Sequence, residues 1–486
     1  MFFKAREPGA VRLTNTRLFA YGWLNVPLSV AGLPLAIYIP SFYATELGLS
    51  LAAMGWILML ARISDVITDP LIGVLSDATP ERWGRRRGWM IAGIPLVAIS
   101  IYMVFSPPAE VGWWYTFVWI SLLYIAWTIV TVPYSAWGAE LSLDYRERTR
   151  ITGWREMLGI VGQLLVMGLP VALPWLALNG VPGLEGTQGE SMAPMLHIIA
   201  MVTVGMLVTA LVALLLLLPE VRAPASGSEG FASWLAGLRV IWRNGPFKRL
   251  ILVNVFNGIG WTVCGTLFVF YVRYVLEGGL DATGWLLLVY YTAGVVGAPI
   301  CARGGNLIGK HRMWALTIVV TCVAYLPAVF LGPGDEWWFV LILSFTGLAI
   351  ANGGILGSSM SADVIDIDTL RSGQQRGALF MALWAMASKA AAAIGAVIAL
   401  NLLDFVGFEI TETGVTGQTQ LAVLYVLLPI LFWLIAAAIV WRYPITEARH
   451  QRIRERVERR IRASAAANDA RTANETRSAA AASPST

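Results

Sequence analysis

The amino-acid sequence predicts an all-α integral membrane protein, and three observations support this fold class. Hydrophobic residues make up 57% of the chain and charged residues only 13%, against about 25% charged residues in soluble domains. Apolar runs of roughly 20 residues, the length of a helix that crosses the hydrocarbon core, recur along the chain. The alternating segments of about ten residues that are typical of outer-membrane barrels are absent from the sequence. The spans are therefore predicted to be helices.

Hydropathy in windows of about 19 residues predicts about twelve spans in two groups of six. The predicted spans are 18–44, 51–75, 89–105, 114–139, 157–178, 195–218, 250–275, 284–307, 314–331, 338–357, 378–402 and 421–441. We therefore expect a first six-helix bundle at 1–218, a cytoplasmic linker at 219–247, a second six-helix bundle at 248–442, and a basic amphipathic segment with a disordered cytoplasmic tail at 443–486.

The charges of the loops predict the orientation of the chain in the membrane. Lys and Arg cluster in the amino-terminal segment and in alternate loops, whereas acidic residues dominate the loops between them, with Arg273 as the main exception. The positive-inside rule then places both termini in the cytoplasm. Because this asymmetry explains the net charge of +5, we expect no nucleic-acid partner.

A basic segment follows the last span. Ile453, Val457 and Ile461 repeat at helical spacing among arginines, as in a helix that lies on an anionic lipid surface. A solvated charged helix has the same pattern.

Membrane lipids and a small-molecule substrate are the expected partners of the protein, which we expect to be a monomer.

Three charged residues interrupt the second apolar run, and they carry the functional argument. A charged side chain at the centre of a span costs roughly 2.5–3.5 kcal/mol, so it usually faces a cavity or a partner. Asp65 and Asp69 are four residues apart and share one helix face, with Arg62 three residues before Asp65 on the same side. Two carboxylates suit a hard cation such as Na⁺, or they hold a proton if close approach raises one pKa. A salt-bridge cluster that only holds helices together is the alternative.

The sequence gives little support for an enzyme or for a metal-binding protein. The histidines His197, His311 and His450 are dispersed, and neither a G-x-S-x-G nor an H-E-x-x-H pattern is present. The three cysteines fall in or beside spans without metal-ligand or paired-disulfide spacing. We therefore expect no enzyme activity, no cofactor and no metal beyond a possible Na⁺.

Three stretches carry a resemblance to a known family. They are ISDVITDPLIGVLSDATPERWGRRRGW, TVPYSAWGAELSLDYRERTRITGWRE and ADVIDIDTLRSGQQRGALFMALWAMASKAAAAIG. Together they resemble the glycoside-pentoside-hexuronide:cation symporter family, the melibiose permease group of the major facilitator superfamily. The resemblance implies a major facilitator fold in a bacterial inner membrane, and symport of a sugar, glycoside or related solute with Na⁺ or H⁺ by alternating access.

The resemblance also implies a cation site. Its residues are Asp65, Thr68, Asp69 and Thr128. Thr68 stands where melibiose permease has an asparagine, so it keeps an oxygen but not the amide. Lys389 matches the lysine of the family's eleventh helix, and we expect it to couple cation and substrate together with Arg62.

The resemblance fails at the sugar site. Ser29 and Thr131 stand where melibiose permease uses two aspartates for galactoside hydroxyls, so galactosides of that kind are not expected. Arg155 matches an arginine at the start of the fifth helix, and binds either an anionic or hydroxyl-rich substrate or a helix-end carbonyl. Further candidates to line a central cavity are Tyr134, Trp137, Asn257, Trp261 and Trp384.

Charged residues at the cytoplasmic side predict a gate. Its members are Arg146 and Arg148 in the first half and Asp363, Asp366 and Asp368 in the second. Pairs across the halves would close the cytoplasmic side in the outward-open state. Solvated loop charges are the alternative, since exposed pairs contribute little.

Two other functions remain open on the sequence. Animal lysophospholipid carriers share the second-helix aspartates and the eleventh-helix lysine, so a cation-coupled carrier of a lysolipid-like or other amphipathic solute is one alternative. A membrane sensor that binds the cation without transport is the other.

Overall fold

The computed structural model describes residues 13–80, 86–142, 145–189, 191–218, 244–350, 352–372, 377–411 and 414–444. The α-helices are α1 Asn15–Trp23, α2 Asn25–Thr45, α3 Leu51–Ala78, α4 Arg87–Phe105, α5 Trp113–Glu140, α6 Tyr145–Leu178, α7 Ala193–Leu217, α8 Gly245–Tyr274, α9 Leu280–Ile308, α10 Lys310–Tyr325, α11 Glu336–Gly347, α12 Ser358–Ser372, α13 Gly377–Phe405 and α14 Gln418–Trp441. Within these residues, eleven helical segments are long and apolar enough to cross a membrane, with α1 and α2 counted as one. The protein is an all-α membrane protein.

The helix starts follow local side-chain chemistry. Ser50 accepts a hydrogen bond from the Ala53 backbone N–H at 3.2 Å at the start of α3, and Asn244 accepts one from the Phe247 N–H at 3.3 Å at the start of α8. Such caps satisfy backbone donors that have no partner inside the helix. Prolines inside the spans, such as Pro70 of α3, are tolerated because neighbouring helices satisfy the freed backbone groups.

The tenth predicted span, 338–357, is interrupted in the structure. Helix α11 ends at Gly347, a π-helical turn covers Gly353–Gly357, and α12 then continues to Ser372. Helix α9 packs closely here, since a Cβ at Gly297 would overlap the backbone of Leu348. The predicted span is therefore not one continuous α-helix, and α9 packs tightly against it where the helix is interrupted.

One helix boundary differs from prediction, and one loop contains a β-hairpin. Helix α6 begins at Tyr145 rather than near Met157, because its polar first turns are helical but too hydrophilic to register as a span. A short antiparallel hairpin pairs β1 Glu409–Thr411 with β2 Gly414–Thr416 before α14. The predicted linker and tail fall almost entirely outside the described residues, so their assignment stays a prediction.

The two halves meet along three helix pairs, α2 with α8, α3 with α13, and α6 with α9. Glycines allow close approach in two of them: Gly55 of α3 lies against Leu400 and Asn401 of α13, and Gly284 of α9 lies against Pro170 of α6. Small residues at helix contacts are typical of membrane bundles, where van der Waals packing drives association. This packing brings charged residues of α3 and α13 together near the middle of both helices.

Candidate cation and substrate site

Asp65 and Asp69 lie one turn apart on α3 and are joined by Thr128 of α5. Asp65 is only 5% exposed. The Thr128 hydroxyl lies 3.0 Å from Asp69 Oδ1 and 3.3 Å from Asp65 Oδ1, within donating distance of both. The spacing of four residues therefore places both carboxylates on one helix face, as predicted, and the neighbouring helix supplies a hydroxyl between them.

Lys389 of α13 completes this cluster from the other half of the chain. Its Nζ lies 2.7 Å from Asp69 Oδ2 and 2.9 Å from Asp69 Oδ1, and 3.3 Å from Asp65 Oδ2. The two halves are thus connected by an ion pair within the membrane-spanning region. We call these four residues, Asp65, Asp69, Thr128 and Lys389, the carboxylate cluster.

The carboxylate cluster by itself carries one excess negative charge, and Arg62 lies one turn away on the same helix. Two carboxylates and one ammonium sum to −2 + 1 = −1 when all are ionised. Carboxylate and hydroxyl oxygens suit a hard monovalent cation, and a proton on one carboxylate has the same effect on the charge. On the same helix, the Thr68 hydroxyl is buried and has no hydrogen-bond partner among the described residues, so a further oxygen is available there.

Arg62 lies one turn before Asp65 and belongs to the wall of a cavity. Its Nε donates to the Tyr124 hydroxyl at 3.0 Å, and its Cζ lies 5.4 Å from the centre of the Tyr124 ring. The cavity has a volume of about 480 Å³ and lies between the two halves, with Ser29 and Gln163 on one side and Trp261 on the other. This volume falls within the range of small-molecule sites.

Comparison with known proteins identifies the family. The family described as MFS/sugar transport protein matches residues 20–447 of the chain. The chain belongs to this family. It is therefore a multi-pass membrane transporter and not an enzyme.

Relatives of this transporter cover most of its length. It is 25% identical over 441 residues to the "Putative glycoside/cation symporter YagG" of Escherichia coli strain K12, covering 89% of this chain and 92% of that protein. It is 27% identical over 424 residues to the human "Sodium-dependent lysophosphatidylcholine symporter 1", covering 81% and 77%. Among solved structures, a variant of the nucleoside transporter NupG matches with a TM-score of 0.66 at 13% identity, covering 87% of this chain and 100% of that one. The last similarity shows the fold alone.

Ser29 and Trp261 are the predicted substrate residues that line the cavity of this transporter. Three others on α5 do not. The Tyr134 hydroxyl donates to the Tyr21 carbonyl at 2.6 Å, Trp137 is completely buried, and the Thr131 hydroxyl donates to the Trp127 carbonyl at 2.9 Å. Tyr134 and Trp137 pack inside the first half, and the Thr131 hydroxyl is satisfied by its own helix. Contact of these three residues with substrate stays a prediction.

The remaining predicted substrate residues also lie outside the lining. Arg155 pairs with the adjacent Glu156 at 2.6 Å. Trp384 packs against Gly357, where a Cβ would lie 2.9 Å from its ring. Asn257 is buried, and its Oδ1 has no hydrogen-bond partner among the described residues. Contact of these three with substrate stays a prediction.

Sequence reasoning missed several residues of the cavity wall. Tyr124 lies one turn before Thr128 on α5, Gln163 is a polar residue within an apolar span, and Tyr291 lies on α9. For Gln163 the signal was available, because a polar group in a span is costly unless it faces a cavity or a partner. For Tyr291 no such signal existed, since aromatic residues occur throughout the spans.

The predicted gate residues are only partly described. Asp363 accepts two hydrogen bonds from Lys310 of the same half, at 2.8 and 2.9 Å, and Arg148 Nε donates to the Ser142 carbonyl at 2.7 Å. Asp368 is buried, and the side chains of Arg146 and Asp366 lie outside the described set. A gate across the halves stays a prediction.

A buried arginine ties three helices of the first half together at the same end. Arg86, 2% exposed, lies 2.6 Å from Asp77 and 2.5 Å from Glu140 and donates to Ser76 at 2.8 Å. Burial disfavours the charged guanidinium, but Glu140 and Asp77 more than offset this and raise the pKa of Arg86 above its ordinary value. The ends of α3 and α5 are thereby fixed to the start of α4.

At the opposite end, an ion pair joins the two halves. Glu46, which follows α2, lies 3.4 Å from Arg273 in the last turn of α8. The same carboxylate accepts hydrogen bonds from the Met192 N–H at 2.8 Å and the Ser191 hydroxyl at 2.7 Å. Glu46 therefore connects α2, the start of α7 and α8.

Proposed function

We propose that this transporter is a secondary-active symporter that couples Na⁺ or H⁺ to the movement of a sugar, glycoside or related small solute by alternating access. The observation that carries the proposal is the contact of Lys389 with Asp65 and Asp69. A cation held by these carboxylates competes with the ammonium group for the same oxygens. Because α3 and α13 belong to different halves, that competition links cation binding to the way the halves are held together.

Arg62 connects the cation to the solute in this proposal. It lies one turn from Asp65 and lines the central cavity, so a change in the charge of the carboxylate cluster alters the potential at the cavity wall. Thr128 and Thr68 supply neutral oxygens to the cation. Coupling therefore runs through one face of α3, from Asp69 to Arg62.

A compact hydroxyl-rich solute fits the central cavity best. Ser29, Arg62 and Gln163 provide hydrogen-bonding groups, while Trp261 and Tyr291 provide flat apolar surfaces. A relative named as a glycoside/cation symporter supports this class. A relative named as a lysophosphatidylcholine symporter supports an amphipathic solute, but polar groups on several sides of a cavity of about 480 Å³ suit a long acyl chain less well.

In our proposal the protein lies in a bacterial inner membrane with both termini in the cytoplasm. The Glu46–Arg273 end then faces the periplasm, where the halves are joined, so the structure corresponds to a state with its periplasmic side closed.

Single cysteines at the exposed positions Glu110 and Ala78, in a cysteine-free background, test the orientation. An impermeant maleimide added to intact cells should label Glu110→Cys and leave Ala78→Cys unlabelled, and the reverse result would invert the topology.

The decisive experiment removes one charge from the carboxylate cluster. Asp69→Asn keeps the shape of the side chain but loses the charge that balances a cation, so cation-driven accumulation in proteoliposomes should fall at least about tenfold, while exchange of labelled solute persists. Asp404→Asn, the same substitution at an exposed residue of α13, is the matched control. Full accumulation by Asp69→Asn at an equal amount of reconstituted protein would refute the cation site. The solute used in these assays is first identified with a panel of labelled glycosides, pentoses, uronates and lysolipids.

A further inference from the structure

A second cavity lies beside the central one, and residues of the second half of the chain form most of its wall. It has a volume of about 190 Å³, and both cavities are lined by Ile37, Trp261, Gly265 and Tyr291. A Cβ placed on Gly265 would meet no atom within 4 Å, so space continues at the boundary between the two cavities. We call this second cavity the annex.

The annex has a different chemical character from the central cavity. Aromatic rings dominate its wall, among them Phe268, Tyr290, Tyr325, Tyr425 and Trp433. The described residues that line it include no charged side chain, whereas Arg62 lines the central cavity. An apolar cavity of about 150 Å³ is large enough to bind benzene, so the annex accommodates one aromatic ring with a small substituent.

One hydroxyl in the annex wall has no hydrogen-bond partner in the described part of the chain. The Tyr290 Oη is buried and makes no hydrogen bond to the described residues. In contrast, the Tyr325 hydroxyl lies 2.8 Å from Cys264 Sγ. A buried polar group without a partner is costly, because it has lost its hydrogen bonds to water. A ligand atom that accepts a hydrogen bond in the annex would recover this cost.

We propose that the annex binds the aromatic aglycone of a glycoside whose sugar occupies the central cavity. The inference rests on the proposed function, and it narrows the solute from sugars in general to aryl glycosides with a hydrogen-bond acceptor on the ring. The sugar hydroxyls meet Arg62, Ser29 and Gln163, and the ring passes Trp261 to reach Tyr290. Aromatic walls favour a flat ring through offset stacking and edge-to-face contacts.

The test compares matched solutes on purified, reconstituted protein. The probes are the methyl, 4-ethylphenyl and 4-acetylphenyl glycosides of glucose, galactose, xylose and glucuronic acid, and free 4-hydroxyacetophenone as a probe that needs no sugar site. For at least one sugar, the 4-acetylphenyl glycoside should bind about 10- to 100-fold more tightly than the methyl glycoside, because it buries a ring. Equal affinities of aryl and methyl glycosides, or no binding of any probe, would overturn the proposal.

Two variants locate the aromatic ring in the annex. Leu287→Trp fills the annex, since Leu287 lines it and not the central cavity; it should abolish the aryl advantage and leave methyl glycoside binding intact. If the Leu287→Trp protein does not fold, Leu343→Phe, a change of another residue in the annex wall, serves as the second variant that fills the annex. Tyr290→Phe should weaken the 4-acetylphenyl glycoside about three- to tenfold and leave the 4-ethylphenyl glycoside unchanged. The control Tyr325→Phe should change the affinities of the 4-acetylphenyl and 4-ethylphenyl glycosides equally. If aryl glycosides still bind more tightly than methyl glycosides in both Leu287→Trp and Leu343→Phe, the annex is not the aryl site.

The two proposals fail in different ways. Cation-driven uptake of sugars without any aryl preference would refute the annex site alone. Binding of 4-hydroxyacetophenone that is lost in Leu287→Trp, without cation-driven uptake of any glycoside, would refute symport of glycosides and leave an aromatic-binding annex.

Discussion

At the scale of single residues, Lys389 distinguishes a functional cluster from a structural one. Its ammonium group contacts both carboxylates and therefore occupies the position that a cation would take. A purely structural ion pair predicts that loss of either partner unfolds the protein, since removal of one member of a buried pair costs about 3–5 kcal/mol. A coupling pair predicts a folded carrier with altered cation dependence.

Thr128 offers a milder test of the same cluster. Thr128→Val keeps the shape of the side chain but removes the hydroxyl that lies between Asp65 and Asp69. Because one hydrogen bond to a charged group contributes about 1.5–3 kcal/mol, the cation concentration for half-maximal uptake should rise at least about tenfold.

The control for this change is Thr321→Val, a buried threonine whose hydroxyl donates to the Thr317 carbonyl of its own helix. It should leave the cation dependence unaltered. The same cation dependence in wild type and Thr128→Val would show that the hydroxyl is not a cation ligand.

The sequence predicts this cluster but only part of the cavity wall, for a physical reason. Asp65, Asp69 and Lys389 are expensive in lipid, so their presence in apolar spans is a strong signal of a shared site. Tyr134 and Trp137 carry no such penalty, and a hydrophobic helix that is apolar on all faces gives no period from which the cavity face can be read. Which residues of these helices line the cavity is determined by how the helices pack.

At the scale of helices, the segment between α11 and α12 shows where hydropathy stops being informative. Eleven spans are predictable because length and apolarity alone determine them. The interruption after Gly347 lies where α9 approaches closely at Gly297. Glycine is common in membrane helices whether or not they are broken, so the sequence did not mark this position.

Gly297→Ala tests this contact. The added methyl group would overlap the Leu348 backbone, so we expect destabilisation of about 1–3 kcal/mol, as for overpacking in other cores. Gly205→Ala on α7 is the matched control, because its Cβ would meet open space and alanine favours the helix by about 0.5–1 kcal/mol. In thermal unfolding of the purified proteins, the midpoint of Gly297→Ala should be lower than that of the wild type, and the midpoint of Gly205→Ala should not. Equal midpoints for the two variants would contradict the packing argument.

At the scale of the whole molecule, the two ends of the helical bundle are held by different kinds of contact. Arg86 ties helices within the first half, whereas Glu46 and Arg273 join the two halves. Only a contact between the halves changes when the halves rock against each other. The Glu46–Arg273 pair is therefore expected to stabilise the state described here.

Glu46→Gln tests this expectation. The amide oxygen still accepts from the Met192 N–H, but the attraction to Arg273 is lost, so the equilibrium should shift about fivefold toward the state that is open at this end, for a pair worth about 1 kcal/mol. Distances between spin labels on α2 and α8 measure the populations. Glu156→Gln, which breaks a pair between neighbours on one helix, should leave them unchanged, and an unaltered distribution in Glu46→Gln would show that the pair does not hold this end closed.

The tethered ammonium of Lys389 also has an electrical consequence. Because the lysine cannot leave, a site loaded with one cation differs from the empty site by one elementary charge, and each transport cycle with an uncharged solute carries that charge across the membrane. A potential of 100 mV then contributes about 2.3 kcal/mol to uptake, or roughly 50-fold accumulation. Solute added to proteoliposomes on an electrode should evoke a current in the presence of the coupling cation, and Asp69→Asn should abolish it.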